Sequence, residues 1–114
     1  MSLIKEVNLK AGMPGSVEAL NNLKRTLENL RGSDVSVLKI IHGYGSTGKG
    51  GKIRVHVRAY LEKELINGRI RGLIPGDRFS IFEEETRRSF ELCPDLRKDP
   101  DLDRHNNGMT LVIL

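Results

Sequence analysis

A run of β-branched and aliphatic residues, Val35, Val37, Leu38, Ile40 and Ile41, constrains the fold of this chain more than any other stretch. Apolar side chains at nearly every position point to both faces of a strand, so the segment predicts a strand buried on both sides. Such a strand needs neighbours in a sheet and elements packed over it, and the flanking sequence supplies them. Upstream, Val17, Leu20, Leu23, Leu27 and Leu30 recur at three- and four-residue spacing after the turn cluster Ala11-Gly12-Met13-Pro14-Gly15. They predict an amphipathic helix with Ser16 as N-cap and a stop at Arg31-Gly32-Ser33-Asp34, where Gly32 takes the left-handed cap conformation and Arg31 faces the negative end of the helix dipole. Ahead of it, residues 3–9 (Leu3, Ile4, Val7, Leu9) read as a strand.

Downstream, a second helix is predicted from about Lys52 to Ile66, with Ile53, Val57, Tyr60 and Leu61 on its core side and Arg54 and Arg58 sharing a flanking face. Asn67-Gly68 closes it. Residues 69–74 read as a short strand ended by Pro75-Gly76, and Ser80 with Glu83 forms a capping-box pattern for a third helix over about 80–92. Residues 94–108 are charged and turn-rich, and Met109, Leu111, Val112, Ile113 and Leu114 form a last strand. Strands alternating with helices imply parallel pairs, and right-handed crossovers put both main helices on one face of a small sheet.

At 114 residues the chain is expected to form one domain, residues 1–114, with one core. No apolar run approaches the roughly 20 residues of a membrane span, and the start lacks a signal-peptide pattern, so a cytoplasmic location is expected. The single cysteine, Cys93, excludes an intrachain disulfide and fits a reducing compartment; no base partner for a catalytic thiol is evident. Net charge is +4, unevenly spread: residues 39–72 hold eight Lys/Arg against two Asp/Glu, and residues 73–114 hold six against nine. A basic block inside near-neutral or acidic sequence is the footprint of a polyanion site, although a solvated helix face has the same composition.

The basic block opens with His42-Gly43-Tyr44-Gly45-Ser46-Thr47-Gly48-Lys49-Gly50-Gly51-Lys52, five glycines in eleven residues between a buried strand and a helix. Glycine allows close backbone approach to an anion, the helix start presents free N–H groups, and Lys49 and Lys52 add full charges. Two nucleotide motifs compete for these residues. Gly43-x-Gly45-x-x-Gly48 matches a dinucleotide fingerprint, but too little chain remains for the doubly wound sheet it belongs to. Gly43 to Lys49 matches most of a phosphate-binding P-loop, but Gly50 stands where Ser or Thr should hold magnesium.

Ile40-Ile41-His42-Gly43-Tyr44-Gly45-Ser46, preceded by one helix and followed by another carrying Val57, Tyr60 and Leu61, resembles the small MutS-related (Smr) domain family. In that family an apolar strand ends in His-Gly-x-Gly, and the domain closes on a strand similar to Met109-Thr110-Leu111-Val112-Ile113-Leu114. The resemblance covers about 4–74 and 108–114, leaving 75–107 as an apparent helical insertion before the last strand. It implies an α/β two-layer sandwich: a four-stranded mixed sheet with two helices on one face, similar to the C-terminal domain of bacterial translation initiation factor three. It also implies binding of DNA or RNA, often branched, and nicking endonuclease activity in part of the family. The family's first motif, Leu-Asp-x-His-Gly, aligns with Val7-Asn8-Leu9-Lys10-Ala11 followed by Gly12. Asn8 thus replaces the carboxylate, and Lys10 a residue that is often His.

The expected nucleic-acid-binding residues are Lys10, His42, Gly43, Tyr44, Gly45, Lys49, Lys52, Arg54 and Arg58. Tyr44 suits stacking on a base, and Arg54 and Arg58 suit phosphates or a pairing with Glu62. His42 is the one candidate acid or base for phosphodiester hydrolysis, with a loop-fixing role as the other reading. No cofactor is implied and no metal cluster is visible, since His56 and His105 lack ligand spacing with His42, and a divalent metal for hydrolysis stays open. Asp99, Asp101 and Asp103 alternate as a calcium loop begins, without the later Gly and Glu. The acidic balance of 75–107 argues against phosphate contact there and suits a lid or a protein partner, so a protein-interaction module that keeps the fold without nuclease activity stays open as the second reading.

Overall fold

The central strand does acquire cover on both faces, and it comes from two different parts of the chain. The computed structural model describes residues 3–12, 14–43 and 49–114, with 49–51 described by backbone course alone. The elements are β1 (Leu3–Asn8), α1 (Ser16–Leu30), β2 (Val35–Ile41), α2 (Lys49–Ile66), β3 (Gly72–Pro75), α3 (Glu84–Leu92) and β4 (Met109–Ile113), with short 3-10 turns at Gly76–Arg78 and Pro94–Lys98. The sheet runs in the order β1-β2-β4-β3. β1 is parallel to β2, and β4 is antiparallel to β2 and β3, so the sheet is mixed.

One face carries α1 and α2. Ala19, Leu23 and Leu27 of α1 and Ile53, Val57 and Leu61 of α2 close over Leu38, Ile40 and Val112 of the sheet. The opposite face is covered by the β3–β4 connection, whose Phe79, Phe90, Cys93 and Leu96 pack on Val37, Ile74, Met109, Leu111 and Ile113. The continuous apolar character of β2 follows: its alternate side chains serve two cores. Lys39 is the exception. It points to the second face, is 5% exposed, and binds Asp99 at 2.9 Å and Asp101 at 2.6 Å. Burial acts to lower the Lys39 pKa, but the hydrogen bonds and charges of Asp101 and Asp99 outweigh it and hold the ammonium above its ordinary value. Asp99 and Asp101 therefore hold a lysine, and Asp103 accepts the Ile81 N–H at 3.1 Å.

Four element boundaries differ from the sequence expectation. The N-cap of α1 is Gly15, with no side-chain cap bond, and Ser16 is already helical. α2 starts at Lys49, one turn earlier than expected, with Gly50 and Gly51 in its first turn. Glycine costs about 1 kcal/mol within a helix, and burial of Ile53, Val57 and Leu61 offsets it. β3 begins at Gly72 because Arg69 is used to end α2: its N–H reaches Glu64 O at 2.9 Å while Gly68 N–H reaches Leu65 O at 3.1 Å, a Schellman closure with Gly68 at φ 73°. α3 begins at Glu84 without a capping box. The Ser80 hydroxyl accepts the Phe82 N–H, and the Ser80 N–H is given to Thr86 Oγ1 at 3.2 Å.

Candidate nucleic-acid interface

The carboxyl ends of β1 and β2 and the amino end of α2 meet at one pole of the sheet. Leu9 N–H donates to Ile41 O at 2.8 Å, holding the chain that leaves β1 against the end of β2. Asn8 Oδ1 then accepts the Lys10 N–H at 3.0 Å, an Asx turn that an aspartate would also make. This turn exposes Lys10 and lays its stem beside Gly43, with Cδ at 3.5 Å from where a Cβ on Gly43 would stand. Gly43 has φ 76°, a left-handed conformation that strains other residues.

His42 lies beneath this surface. It is fully buried, and its backbone N–H and that of Gly43 both donate to Gly108 O, at 3.0 and 2.9 Å. Nδ1 stands 2.7 Å from Gly43 O, and Nε2 stands 2.9 Å from Thr110 Oγ1. The direction of each bond follows from the donors available. Arg58 Nε can only donate, and it donates to Thr110 Oγ1 at 3.1 Å. The Thr110 hydroxyl proton is therefore free for His42 Nε2, while Nδ1 carries the hydrogen that the Gly43 carbonyl accepts. The imidazole is neutral in this arrangement. Burial, with the charges of Arg58 and Arg54 acting in the same sense against the Gly43 hydrogen bond, lowers its pKa to about 4.

Arg58 completes the inner layer. Beyond Thr110, it donates to Asn107 Oδ1 at 2.7 Å and Met109 O at 3.2 Å, and it stands 3.7 Å from Asp77. Burial draws its guanidinium below the ordinary value, against the pull of Asp77. Arg58 therefore joins α2 to the ends of the β3–β4 connection, and it forms no ion pair with Glu62. A Cβ at Gly76 would collide with Asn106 O and stand 2.8 Å from Met109 O, so the connection closes backbone to backbone beside this network.

The structure thus brings Lys10, His42, Gly43, Lys52, Arg54 and Arg58 to one pole in two tiers: Lys10 and Lys52 exposed, Arg54 half-buried, His42 and Arg58 held below. Tyr44 and Gly45 lie outside the described residues, as does the Lys49 side chain. Thr110, Asn107 and Asp77 were not among the sequence candidates, and their only sequence signal is a threonine inside an apolar terminal strand. His56 is exposed on α2, and His105 is exposed with Nδ1 at 3.2 Å from Asp77 O. Among the described residues no group of three His, Cys, Asp or Glu side chains is placed to hold a metal. Nor is any helix among them long and apolar enough to cross a membrane.

The model of the Smr domain family matches residues 12–73, more than half of the chain. The chain belongs to the Smr domain family. The crystal structure of the Smr domain of Thermus thermophilus MutS2 is similar to it, with TM-score 0.59 and 23% identity over 96% of each chain. At that identity the likeness concerns the fold, here the mixed sheet with its helices. No curated protein matches the sequence. The family match ends within β3 and includes His42, Gly43 and Arg58.

Proposed function

We propose that this Smr domain binds nucleic acid, DNA or RNA of particular structure, through the sugar-phosphate backbone at the β1–β2–α2 pole. The carrying observation is the placement of the Lys10 stem against Gly43, at the pole where α2 starts, a helix end whose first N–H groups have no partner within the helix. Lys52 and Arg54 extend that charge along the first turns of α2, and Lys49 at its first position and Tyr44 and Gly45 of the preceding loop belong to the surface in this reading. Phosphates are the ligand such a set of cations and amides suits, and the family's nucleic-acid ligands supply them along a polymer.

In this reading His42 and Arg58 are positioning residues. A histidine acting as general base needs a free nitrogen facing solvent or substrate. His42 Nε2 is taken by Thr110 and Nδ1 by Gly43, and the ring is closed off from solvent. Nicking activity, if this member of the family has it, then draws its acid and base from elsewhere.

Binding is tested by fluorescence anisotropy with branched and single-stranded DNA and RNA across a salt series. Affinity is expected to fall as salt rises, and Lys49→Ala with Lys52→Ala to weaken it and reduce the slope of log K against log salt by about 1 to 2. An unchanged slope in that double variant contradicts the assignment. Cleavage is tested on supercoiled plasmid: where the wild type nicks, folded His42→Asn is expected to keep the rate to within about tenfold, since it disturbs the turn without removing an acid or base. A loss of about a hundredfold or more in that variant restores His42 as a reacting group.

A further inference from the structure

Phe82 is 85% exposed and Ile81 beside it 47% exposed, in the turn that leads into α3. The exposure does not come from a slack segment. Ile81 N–H donates to Asp103 Oδ1 at 3.1 Å, and Ile81 O accepts Arg87 Nη1 at 2.7 Å. Phe82 N–H donates to Ser80 Oγ at 3.3 Å, and Glu83 N–H donates to Ser80 O at 2.9 Å. Thr86 Oγ1 accepts the Ser80 N–H and donates to Arg78 O at 3.0 Å. A turn tied down by these hydrogen bonds thus presents two large apolar side chains to solvent, which is how rigid interface anchors are built.

We propose that Ile81 and Phe82 form a docking tip for a segment of a partner protein that is both basic and apolar. Charge decides the occupant. Glu83, Glu84 and Glu85 follow the apolar pair directly. Arg88 pairs with Glu84 at 2.9 Å and stands 3.9 Å from Glu85, while Glu83 has no ion pair among the described residues. A hollow of about 70 Å³ lies beside the turn, lined by Leu73, Pro75, Arg78, Glu83 and Glu85, against β3 at the edge of the sheet. Arg78 lines the hollow too, but the two carboxylates Glu83 and Glu85 leave it net negative, which suits a lysine or arginine whose stem lies on Leu73 and Pro75. The same carboxylates repel phosphates, so nucleic acid and anionic membranes are disfavoured here. This surface uses residues other than Lys10, Gly43, Lys52 and Arg54, and the two assignments stand or fall independently.

The test uses a phage-displayed library of random short peptides, selected on the wild-type chain and counter-selected on Phe82→Ser. Both anchors are exposed, and circular dichroism melting checks that each variant keeps its fold. The expected winners carry Lys or Arg interspersed with apolar residues, and synthesised copies bind Phe82→Ser, and separately Glu83→Lys with Glu85→Lys, at least about tenfold more weakly. Phe82→Tyr retains them. Single-stranded oligonucleotide affinity stays at the wild-type level in Phe82→Ser. Failure to enrich any peptide over the counter-selection, or winners without basic residues, overturns the proposal. So does a comparable loss of oligonucleotide binding in Phe82→Ser, which assigns the tip to the nucleic-acid face. Sedimentation that shows a wild-type dimer becoming monomeric in Phe82→Ser assigns it instead to a second copy of this chain.

Discussion

In the proposed reading His42 matters through the turn it holds and not by reacting. Its imidazole is the middle of a directed chain, Arg58 to Thr110 to His42 to the Gly43 carbonyl, that fixes the turn over which Lys10 lies. A pKa lowered from 6.5 to about 4 means that the unfolded chain binds the proton more readily than the folded one. Stability from this group is fully present above the unfolded value and is lost as pH falls through the window from 6.5 to about 4. The full difference is about 3 kcal/mol at 1.36 kcal/mol per unit. Urea denaturation of the wild type from pH 7 to 4.5 is expected to show that decline, and His42→Asn a shallower one. Equal slopes would show that the ring is not buried neutral. The sequence identified His42 and its glycines, because strand, loop and motif are local signals. It could not reveal that His42 faces inward, since Thr110 lies 68 residues away in sequence. Gly76 was equally illegible as anything more than a turn residue, yet its Cα sits against the 106–109 backbone. Gly76→Ala is expected to destabilise the fold by several kcal/mol, about the range of severe steric substitutions, read from the thermal midpoint.

Among the elements, the two main helices and the central strand were legible because their apolar spacing is regular over many residues. Their ends were less so. Ser16 looks like an N-cap and Ser80-x-x-Glu83 like a capping box, but a side-chain cap competes with other acceptors, and in both places the chain found another arrangement. Lys39 lay hidden in an apolar run, and the aspartates that receive it looked like the start of a calcium loop that lacks its later ligands. The ion pair makes two predictions. Asp99→Asn with Asp101→Asn leaves a buried lysine without a counter-charge and is expected to cost about 3 to 5 kcal/mol in denaturant unfolding. Adding Lys39→Met to that pair removes the charge as well and is expected to recover most of the loss. A triple variant as unstable as the double would show that packing, and not the buried charge, sets the cost.

At the scale of the molecule, the alternation of strands and helices implied parallel pairs with α1 and α2 on one face, and the mixed sheet came only with the family resemblance. It did not specify that residues 76–108 build a second core on the other. Those residues read as a charged connection because their apolar members, Phe79, Phe90, Cys93 and Leu96, are spread over short turns with no sustained period. Replacing 78–105 by a short linker is expected to expose Val37, Ile74, Leu111 and Ile113 and to yield aggregated protein; a soluble, cooperatively folding product would mean that the second core is dispensable. The two-sided packing also separates the surfaces. The basic pole is built from β1, β2 and α2, and the apolar, acidic turn before α3 belongs to the second layer. The most direct test of the central claim is a two-dimensional amide NMR titration of the chain with a single-stranded oligonucleotide. The account predicts shift changes confined to residues 9–12 and 42–55, with the turn at 81–85 unmoved. Changes centred on that turn, or on the opposite pole around residues 31–36, would contradict it.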